Sequence, residues 1–495
     1  MWYPSVPFEL DGIQCTLTQS CRVWYLRVPC RGTELYQRKV RAVTASKNTA
    51  VSLPPGPRLP KIAQGLAFVM WRQSTMRLLH RVYGASFTLN LPFLGPTVVI
   101  SEPKLIKQVF QAKPEIVGLH DFNLGVVLGS GSLFALDGAE HHRRRKLLVP
   151  PLHGRRLQAY ETIMEEEVMR EIETWRAGEE FETLTPMMRV TLNIILRAVF
   201  GAEGAEFEQL RELLPRLVDL GSKLMGIPFL RPDLGPWSPG GRYRAHRRRF
   251  DEIVDTLIEK AKSDPDLEDR PDVLSLLVQA RYEDGEPITR QHLADELLTL
   301  LAAGHETTAT TLAWAFERIR RHPSLLYRLA EEADAGGSEL RQATILEVQR
   351  TRPVIDTTER AVKAPTYTLG EWMIPHGHSI MVHIDRVQND DSVFPDAASF
   401  NPDRFVGAKP ENSSWVPFGG GTRRCIGAAF ATMELNVALR TILREFEIGT
   451  TYARPERAHW RGVAIAPAEG GRLVVHQRTP KGTLGEQALT AAGAP

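Results

Sequence analysis

The sequence is poor in cysteine, with four among its 495 residues, and three of them (Cys15, Cys21 and Cys30) lie within the first 30 positions. Four cysteines do not make a disulfide framework for a chain of this length. No two of them have the Cys-x-x-Cys spacing of a zinc site. Beyond position 30 there is one cysteine, Cys425, so the main part of the chain cannot hold an iron–sulfur cluster by itself.

The sequence also lacks long apolar runs and a strong excess of charge. No run of about 18 or more apolar residues occurs, which argues against a transmembrane anchor. The 61 Lys/Arg and 59 Asp/Glu residues leave a net charge of +2. Residues 1–50 carry seven Lys/Arg and three Asp/Glu, so the rest of the chain has a net charge of −2. Nothing in this balance indicates nucleic-acid binding.

The composition changes near position 50. Residues 1–50 are basic, have no amphipathic period and read as a poorly ordered leader. Residues 51–480 show no repeat and no interdomain linker, and we expect a single domain. Its pattern is mainly α-helical, with a small β-rich part after residue 364, which predicts the α+β class. Residues 481–495 read as a C-terminal tail.

The start of this domain has recognisable element signals. A helical pattern covers 61–83, and Ser86–Leu91 and Thr97–Ile100 read as a hairpin. A short helix is expected at Glu102–Gln111. The long, glycine-punctuated loop 112–138 follows, and a loop of that length in a compact domain is more often functional than idle.

One cysteine stands in an unusual stretch. Positions 418–427 read Phe-Gly-Gly-Gly-Thr-Arg-Arg-Cys-Ile-Gly, so Cys425 lies in a glycine-dense loop just before an apolar run of helical period. Glycines let a backbone approach a flat ring and place amide donors near sulfur. The neighbouring arginines suit bidentate pairing with carboxylates. By itself the stretch fits both a haem-thiolate site and a structural cysteine in a tight turn.

A second stretch lies inside a helix predicted from about Arg290 to Arg321. There Gly304 lowers the stability of the helix, which is expected only where something packs against the backbone. The acid–hydroxyl pair Glu306 and Thr307 stands among apolar neighbours. A threonine hydroxyl can bond to the i−4 carbonyl and open a turn that admits ligand and water. The alternative is a capping-like or solvent-facing pair.

Two further signals are weak when taken singly. Glu347 and Arg350 share one helix face at the i, i+3 spacing, as many surface ion pairs do. Arg404 follows a proline turn and stands before an aromatic residue. A buried arginine from that turn would need partners such as the Glu347–Arg350 pair.

Together these motifs resemble the cytochrome P450 family in order and spacing. They are Phe-x-x-Gly-x-Arg-x-Cys-x-Gly, Ala-Gly-x-Glu-Thr, Glu-x-x-Arg and a Pro-x-Arg-Phe turn. The resemblance covers about residues 52–475 and is closest to actinobacterial, particularly mycobacterial, members. It implies a mostly helical triangular-prism fold with a small β-sheet region.

The resemblance implies that Cys425 is the proximal thiolate ligand of haem b iron. Gly421 and Gly427 would let the loop lie against the porphyrin. Phe418 would pack near the sulfur, and Arg423 would pair with a haem propionate.

On the other side of the haem, Glu306 and Thr307 would relay protons toward dioxygen. Glu347, Arg350 and Arg404 would form a structural triad that supports the haem-binding loop without touching substrate.

Three further propionate contacts follow from the resemblance with less support. His141 and Arg145 occupy positions where the family usually has a tryptophan and a basic residue. They share one helix face at i, i+4, so both can reach a propionate. Histidine at position 141 departs from the family pattern. Arg360 matches another frequent propionate contact.

The implied function is a haem-thiolate monooxygenase that inserts one atom of O2 into a lipophilic molecule of the fatty acid, sterol or terpenoid class. The sequence has no flavin or iron–sulfur segment, so electrons would come from a ferredoxin and a ferredoxin reductase. A cytoplasmic, soluble bacterial enzyme is expected. The alternatives are a peroxide-driven haem-thiolate peroxygenase, which would not need the Glu306–Thr307 relay, and a non-catalytic haem protein that binds a ligand.

A basic surface could steer an acidic electron donor. Its candidates are Arg143, Arg144, Lys146, Arg155 and Arg156, and the alternative is an ordinary solvated helix face.

The substrate pocket is expected between loop 112–138, segment 224–230 and the strand 354–359. Asp356 and Glu359 in that strand are interpreted as surface residues rather than polar anchors.

Overall fold

The computed structural model describes residues 8–10, 13–15, 52–92, 94–154, 156–201, 204–450 and 454–478. The chain divides after Ala50 into two units. In the first, strands β1 (Phe8–Leu10) and β2 (Ile13–Cys15) pair antiparallel. The expectations for the rest of the leader, and for the tail 481–495, concern residues outside the described part of the chain.

Helices dominate the second unit. Fifteen α-helices fall within its described residues: α1 Lys61–Met70, α2 Arg72–Tyr83, α3 Pro103–Gln111, α4 Gly125–Leu128, α5 Gly138–Leu148, α6 Arg156–Ile172, α7 Leu184–Phe200, α8 Ala205–Gly226, α9 Pro239–Lys262, α10 Val273–Gln279, α11 Arg290–Ile319, α12 Pro323–Asp334, α13 Glu339–Thr351, α14 Ile384–Gln388 and α15 Ala428–Glu445. Of these, none combines the length and the apolar character that crossing a bilayer requires.

The strands are short and form small sheets. In chain order they are β3 Ser86–Leu91, β4 Gly95–Ile100, β5 Val117–Gly118, β6 Glu180–Glu182, β7 Thr357–Val362, β8 Thr366–Leu369, β9 Trp372–Pro375, β10 Ser379–His383, β11 Phe446–Gly449, β12 Ala458–Trp460, β13 Ile465–Pro467 and β14 Arg472–Gln477. The largest sheet has the order β3-β4-β10-β7-β5. Its β4–β10 pair is parallel, and its other pairs are antiparallel. The predicted α+β class, mainly helical with a small β-rich part, is confirmed.

The 30-residue helix α11 runs through the main hydrophobic core. Its N-cap Thr289 accepts a hydrogen bond from the His292 amide at 3.3 Å, and Pro323 begins the next helix soon after α11 ends. Most of its residues are buried, as expected for a helix that is apolar on several faces. The helix predicted from about Arg290 to Arg321 is therefore confirmed.

Other predicted elements are confirmed in part, because the predicted loop 112–138 contains strand β5 and the short helix α4, and the strand predicted over 354–359 begins at Thr357. The β3–β4 hairpin pairs Ser86 with Ile100 and Leu91 with Gly95, and the short helix after it is α3. The continuous helical pattern over 61–83 is wrong in one detail, because the chain breaks at Trp71 into two helices. The backbone of Trp71, with φ −131° and ψ 38°, lies outside the helical region, so α2 leaves in a new direction.

Candidate active site

The Cys425 loop joins a short 3₁₀ turn at Gly421–Arg423 to the N-terminus of α15. The Cys425 amide donates to the Phe418 carbonyl oxygen at 2.9 Å and closes the loop. Solvent can reach the Cys425 side chain, although protein surrounds it on most sides. The sulfur atom is therefore held in place and left open for a ligand.

The surroundings of this sulfur shift the pKa of the thiol in opposite directions. Burial raises the pKa of the Cys425 thiol, whereas a hydrogen bond from the Gly427 amide and the charges of Arg145 and Arg424 oppose that rise. The net pKa stays above the usual value, so the free thiol keeps its proton near neutral pH. A metal ion that binds the thiolate supplies the missing stabilisation.

Phe110, at the end of α3, shapes the glycine loop from behind and is a residue that sequence reasoning missed. A Cβ at Gly421, where φ is +66°, would lie 2.2 Å from the Phe110 carbonyl oxygen. A Cβ at Gly420 would lie 2.1 Å from the Phe110 ring. At Gly427 the closest atom would be the Cys425 sulfur at 4.0 Å. The first two glycines are thus required by Phe110, while the third leaves space beside the sulfur.

Four basic side chains gather around the start of α5, with the carboxylate of Asp137 among them. They are His141, Arg145, Arg360 and Arg423. Arg423 donates to Asp137 at 2.9 Å and also bonds to the carbonyl oxygen of Leu136. Arg360 reaches the carbonyl oxygens of Glu359 at 2.8 Å and Gly420 at 3.4 Å. The structure therefore brings predicted contacts together from three separate parts of the chain.

The electrostatics of this group show a shortage of negative charge. Burial, then Arg423 and Arg145, lower the pKa of His141 to about 4, so this histidine is neutral. Burial, then Arg423, lower the pKa of Arg360 to about 10, against the opposing charges of Glu359 and Asp137. Burial also lowers the pKa of Arg145, Cys425 raises it, and Arg424 and Arg423 lower it further.

Asp137 is the carboxylate within this basic group, and the sequence reading missed it. Burial alone would raise its pKa, but hydrogen bonds from the Leu119 amide and Arg423 hold it below the usual value. The signal available was its position as N-cap of α5, where it accepts from the Gly138 amide at 3.0 Å. Asp137, with Glu359 beside Arg360, does not balance the three arginines Arg145, Arg360 and Arg423. A group with two more carboxylates, such as haem b, fits this donor set together with the open sulfur.

The predicted acid–hydroxyl pair lies midway along α11. Thr307 donates to the Ala303 carbonyl oxygen at 2.8 Å, and Ala303 itself is exposed although it stands in the middle of the helix. The expected opened turn is not found, because α11 is continuous through these residues. The predicted close packing at Gly304 is present, because a Cβ there would lie 3.1 Å from the Ile195 side chain.

Glu306 is flanked by charges that sequence reasoning missed. Burial raises the pKa of Glu306, Arg461 lowers it and Asp219 raises it further. Arg461 belongs to the turn between β12 and β13, and that turn reaches α8, where a Cβ at Gly462 would lie 3.3 Å from Ser222. The three residues are far apart in sequence, so no local pattern could have linked them.

A buried acid on α15 also escaped the sequence reading. Burial raises the pKa of Glu434 well above the usual value, and Thr308 contributes a hydrogen bond. Burial thus favours the protonated form of the Glu434 carboxyl. Glu434 connects the helix that follows Cys425 to the helix that carries Thr307. The sequence could have indicated Glu434, because it is an acidic residue within the apolar run of α15.

Glu347, Arg350 and Arg404 meet in a buried network. Arg350 forms two hydrogen bonds of 2.7 Å to the Glu347 carboxylate. Arg404 approaches the same carboxylate at 3.3 Å. The Asn401 amide adds a bond of 2.9 Å. The Glu347–Arg350 pair is fully buried, so it ties α13 to the chain segment that precedes the Cys425 loop.

The expected basic surface is wrong in part. Arg144 is buried and pairs with Glu296 at 2.9 Å. Arg143 pairs with Asp284, and Lys146 pairs with Glu283 at 2.6 Å. Their charges are thus partly neutralised by the chain itself.

The other two members of that surface differ from each other. Arg156 is exposed at the start of α6, and Arg155 lies outside the described residues.

The interpretation of Asp356 as a surface residue is wrong. Its carboxylate is buried and accepts two hydrogen bonds of 2.7 Å from Arg72 on α2. Glu359 is half-buried and accepts from Thr357 at 2.8 Å. Asp356 therefore fastens α2 to the sheet rather than facing solvent or a substrate.

Loop 112–138 is held by side chains from two long helices. Arg247 of α9 donates to the Leu128 carbonyl oxygen at 3.0 Å. Asp295 of α11 accepts from the Gly131 amide at 2.9 Å and pairs with Arg247. These contacts attach the loop to the helix that carries Glu306.

Known proteins share both the sequence and the fold. The family model described as Cytochrome P450 matches residues 54–470. A Mycobacterium tuberculosis protein with the provisional name cytochrome P450 138 is 53% identical over 428 residues, which cover 86% of this chain and 97% of that protein. Another, provisionally named cytochrome P450 137, is 37% identical over 439 residues, covering 86% of this chain and 91% of that protein.

Two solved structures share the fold at lower identity. A retinoic acid-bound cyanobacterial structure, CYP120A1, has a TM-score of 0.76 at 22% identity and covers 87% of this chain and all of that one. The P450DA heme domain has a TM-score of 0.75 at 21% identity, with 87% of this chain and 99% of that one covered. They establish the triangular-prism fold.

The family match spans most of the chain, and the mycobacterial relatives share it over nearly their full length. Haem b with a thiolate ligand, monooxygenase chemistry with O2 and dependence on redox partners come with that family. The chain belongs to the cytochrome P450 family.

Proposed function

We propose that this monooxygenase oxidises a lipophilic small molecule, of the fatty acid, sterol or terpenoid class, with electrons from a separate ferredoxin and its reductase. The observation that carries the substrate class is the presence of exposed apolar side chains in loop 112–138, which is expected to border the site. These side chains are Val126 and Phe134, whereas Val354, which follows the Glu347–Arg350 helix, is packed into the main core. Such surfaces bind apolar molecules by excluding water.

Segment 224–230 contributes a mixed surface to this proposal. Leu224 is buried in the core, whereas Ile227 and Phe229 are exposed. Arg231 holds the segment in place by donating to the Leu224 carbonyl oxygen at 2.8 Å, and its guanidinium lies 5.1 Å from the centre of the Phe122 ring. Arg231 therefore links the segment to loop 112–138, as a residue between two walls of one pocket would.

In this proposal the residues of the chain hold the cofactor and move protons. Haem, when bound through Cys425, supplies the binding and activation of O2. Arg145, Arg360 and Arg423 would hold its propionates, with neutral His141 as an additional hydrogen-bond donor. Direct oxygen use is favoured over peroxide use by the Glu306–Thr307 pair.

Proton delivery would run through two side chains. The raised pKa of Glu306 lets it hold a proton at a pH where an exposed glutamate would have lost it. Thr307 donates its hydroxyl hydrogen to Ala303 at 2.8 Å, so its lone pairs remain available to accept. Adjacent side chains of a helix do not face each other, so a proton from Glu306 would reach the Thr307 oxygen through water. Its arrival there would free the hydroxyl hydrogen for transfer into the site.

The first test concerns the cofactor and the substrate. The ferrous protein with CO should show the red-shifted Soret band of thiolate ligation, and Cys425→Ala should lose that band. Lipophilic compounds that shift the ferric Soret band are then incubated with ferredoxin, reductase and NADPH, and products are identified. Turnover with peroxide alone, and none with the electron-transfer chain, would favour a peroxygenase. Spectral binding without any product would favour a ligand-binding protein.

The second test concerns the electron donor. The proposal retains Lys146 and Arg156 from the expected basic surface, since both are exposed. Reversing both charges should slow reduction of the haem by ferredoxin about tenfold at low salt, with a smaller effect at high salt. Arg216→Glu/Arg248→Glu, at exposed positions on α8 and α9, is the control for net charge. Equal rates for all three proteins would exclude this surface as the docking site.

A cytoplasmic location is part of the same proposal, because the proposed donors are soluble proteins. Cell fractionation tests it.

A further inference from the structure

Helix α1 turns its apolar side chains away from the protein. Its fully buried residues are Gln64 and Gly65. The opposite face carries four large apolar side chains, each between 55% and 66% exposed: Ile62, Leu66, Val69 and Met70. Amphipathic helices of soluble domains normally have the reverse arrangement, with the apolar stripe against the core.

The inner face of α1 shows that this orientation is built into the fold. The Gln64 side-chain amide donates to the Leu59 carbonyl oxygen at 2.7 Å and accepts from the Asn90 amide at 2.9 Å. A Cβ at Gly65 would lie 2.6 Å from the Pro92 ring. Rotating α1 to bury its apolar face would break both hydrogen bonds and this close contact with β3 and the turn after it.

Helix α2 continues the same surface. Leu78 and Val82 of α2, four residues apart, and Trp71, in the break between the two helices, are each about as exposed as the apolar face of α1. On the inner side of α2 Met76 is buried, and Arg72 forms a bidentate pair with Asp356 at 2.7 Å. We call the seven exposed apolar side chains of α1, α2 and the break between them the outer face.

The segment of chain that carries the outer face has charges of one sign. Residues 52–101 contain no aspartate or glutamate and five lysines or arginines. Arg72 is neutralised by Asp356. The other four are exposed: Arg58, Lys61, Arg77 and Arg81. The apolar side chains therefore stand beside four exposed cations, of which Arg77 also acts on Asp385, where it opposes the rise in pKa that burial of this carboxyl causes.

We propose that the outer face binds the surface of an anionic lipid bilayer, with α1 and α2 lying in the interface plane. Apolar side chains that enter the boundary of the acyl chains, together with cations among the headgroups, are the two requirements for such binding. Trp71 suits this position because an indole is stable where apolar and polar surroundings meet.

A second copy of the chain fits the outer face less well than a lipid surface. A symmetric contact would bring the same four cations of each copy together without an acidic residue between them. Lipid phosphates supply the negative charge that such a contact lacks. The proposal concerns association with one leaflet and is separate from any membrane-spanning segment.

The test uses the full-length, haem-containing protein and vesicles. We expect co-sedimentation with vesicles of phosphatidylcholine and phosphatidylglycerol, and much weaker binding to phosphatidylcholine alone. The variant Ile62→Gln/Leu66→Gln/Val69→Gln should lower the partition coefficient about tenfold or more, because its apolar face no longer enters the lipid. Val406→Gln/Tyr327→Gln, which alters exposed apolar side chains elsewhere, should bind like the wild type.

The electrostatic part has its own variant. Arg77→Gln/Arg81→Gln should lower binding to the anionic vesicles about tenfold or more at low salt, and raised salt should remove most of that difference. Brominated lipids should quench the fluorescence of the wild type more than that of Trp71→Phe. Thermal unfolding and the CO spectrum report whether each variant is folded.

Three results would overturn the proposal. The first is no difference between anionic and neutral vesicles. The second is unchanged binding by the triple glutamine variant, which would assign binding to another part of the chain. The third is a wild-type dimer that the triple variant dissolves, with no vesicle binding by either protein, as analytical ultracentrifugation would show.

Discussion

Thr307 is the residue whose hydroxyl is best placed to pass protons in this site. Its hydrogen rests on the Ala303 carbonyl oxygen, and the exposed Ala303 shows that this part of α11 borders open space. Thr311, one turn later, makes the same kind of bond to the Thr307 carbonyl oxygen at 2.8 Å. The two threonines differ in position and not in local bonding, so one serves as the control for the other.

Replacing Thr307 with alanine should uncouple electron use from product formation. Without the hydroxyl, protons reach the site less selectively, and we expect product per NADPH to fall about tenfold while peroxide rises. Thr307→Ser should restore most of the coupling. Thr311→Ala should leave it near the wild-type value. Product and peroxide are measured against NADPH consumed, and unchanged coupling in Thr307→Ala would contradict the relay.

Glu306 is tuned by two residues of opposite charge. Burial raises its pKa first, Arg461 lowers it and Asp219 raises it. The Asp219 side chain is exposed and pairs with Lys223 at 2.7 Å, a surface contact that contributes little to stability. Each neighbour can therefore be changed with limited damage to the fold.

The pH dependence of turnover should move in opposite directions in two variants. Arg461→Gln removes a charge that favours the carboxylate, so the pKa of Glu306 rises and the limb of the kcat–pH profile that depends on it moves to higher pH. Asp219→Asn should move the same limb to lower pH. Glu306→Gln should abolish it. A shift of both variants in the same direction would show that this limb belongs to another group.

At the scale of elements, the Cys425 loop is shaped by α3 as much as by its own glycines. Gly419 and Gly421 both have positive φ, at +64° and +66°. A Cβ at Gly419 would meet nothing within 4 Å, whereas one at Gly421 would meet the Phe110 backbone. Comparing alanine substitutions at these two glycines separates the effect of backbone strain from the effect of a clash.

Gly421→Ala should destabilise the protein more than Gly419→Ala. An alanine in the left-handed region costs about 1–2 kcal/mol, and we expect that loss of unfolding free energy from Gly419→Ala. Gly421→Ala adds the clash with Phe110 and should also lower haem content, because the loop must move. Urea unfolding and the haem-to-protein absorbance ratio measure both. Equal effects of the two variants would show that Phe110 does not constrain the loop.

At the scale of the whole molecule, loop 112–138 is joined to the helical core by a few polar contacts. Asp295 of α11 bonds to the Gly131 amide and to Arg247 of α9, and Arg247 bonds in turn to the Leu128 carbonyl oxygen. One carboxylate thus connects two helices and a loop that borders the proposed pocket.

Asp295→Ala should loosen that loop. It removes the acceptor of the Gly131 amide and one partner of Arg247, a loss of about 1–3 kcal/mol. We expect faster limited proteolysis within residues 124–132 and a higher KM for substrate. Asp251→Ala also removes an Arg247 partner, at 2.9 Å, but does not touch the loop. The same cleavage rate in both variants would show that the Gly131 contact does not hold the loop.

The sequence by itself determined the local part of this account. The helical pattern predicted α11, the glycine spacing around Cys425 indicated a loop open to a flat cofactor, and motif order indicated the family. These features depend on residues close together in the chain, where φ/ψ preferences and side-chain periodicity act directly.

Tertiary structure decided what depends on residues that are distant in sequence. It alone showed that Arg144 is buried against Glu296, that Asp356 holds Arg72, and that Arg461 influences Glu306. Charge in a sequence does not reveal burial or partners, because both arise when separate elements pack together. The outer face of α1 and α2 was hidden for the same reason: a helical pattern shows which residues share a face, and only packing decides which face meets solvent.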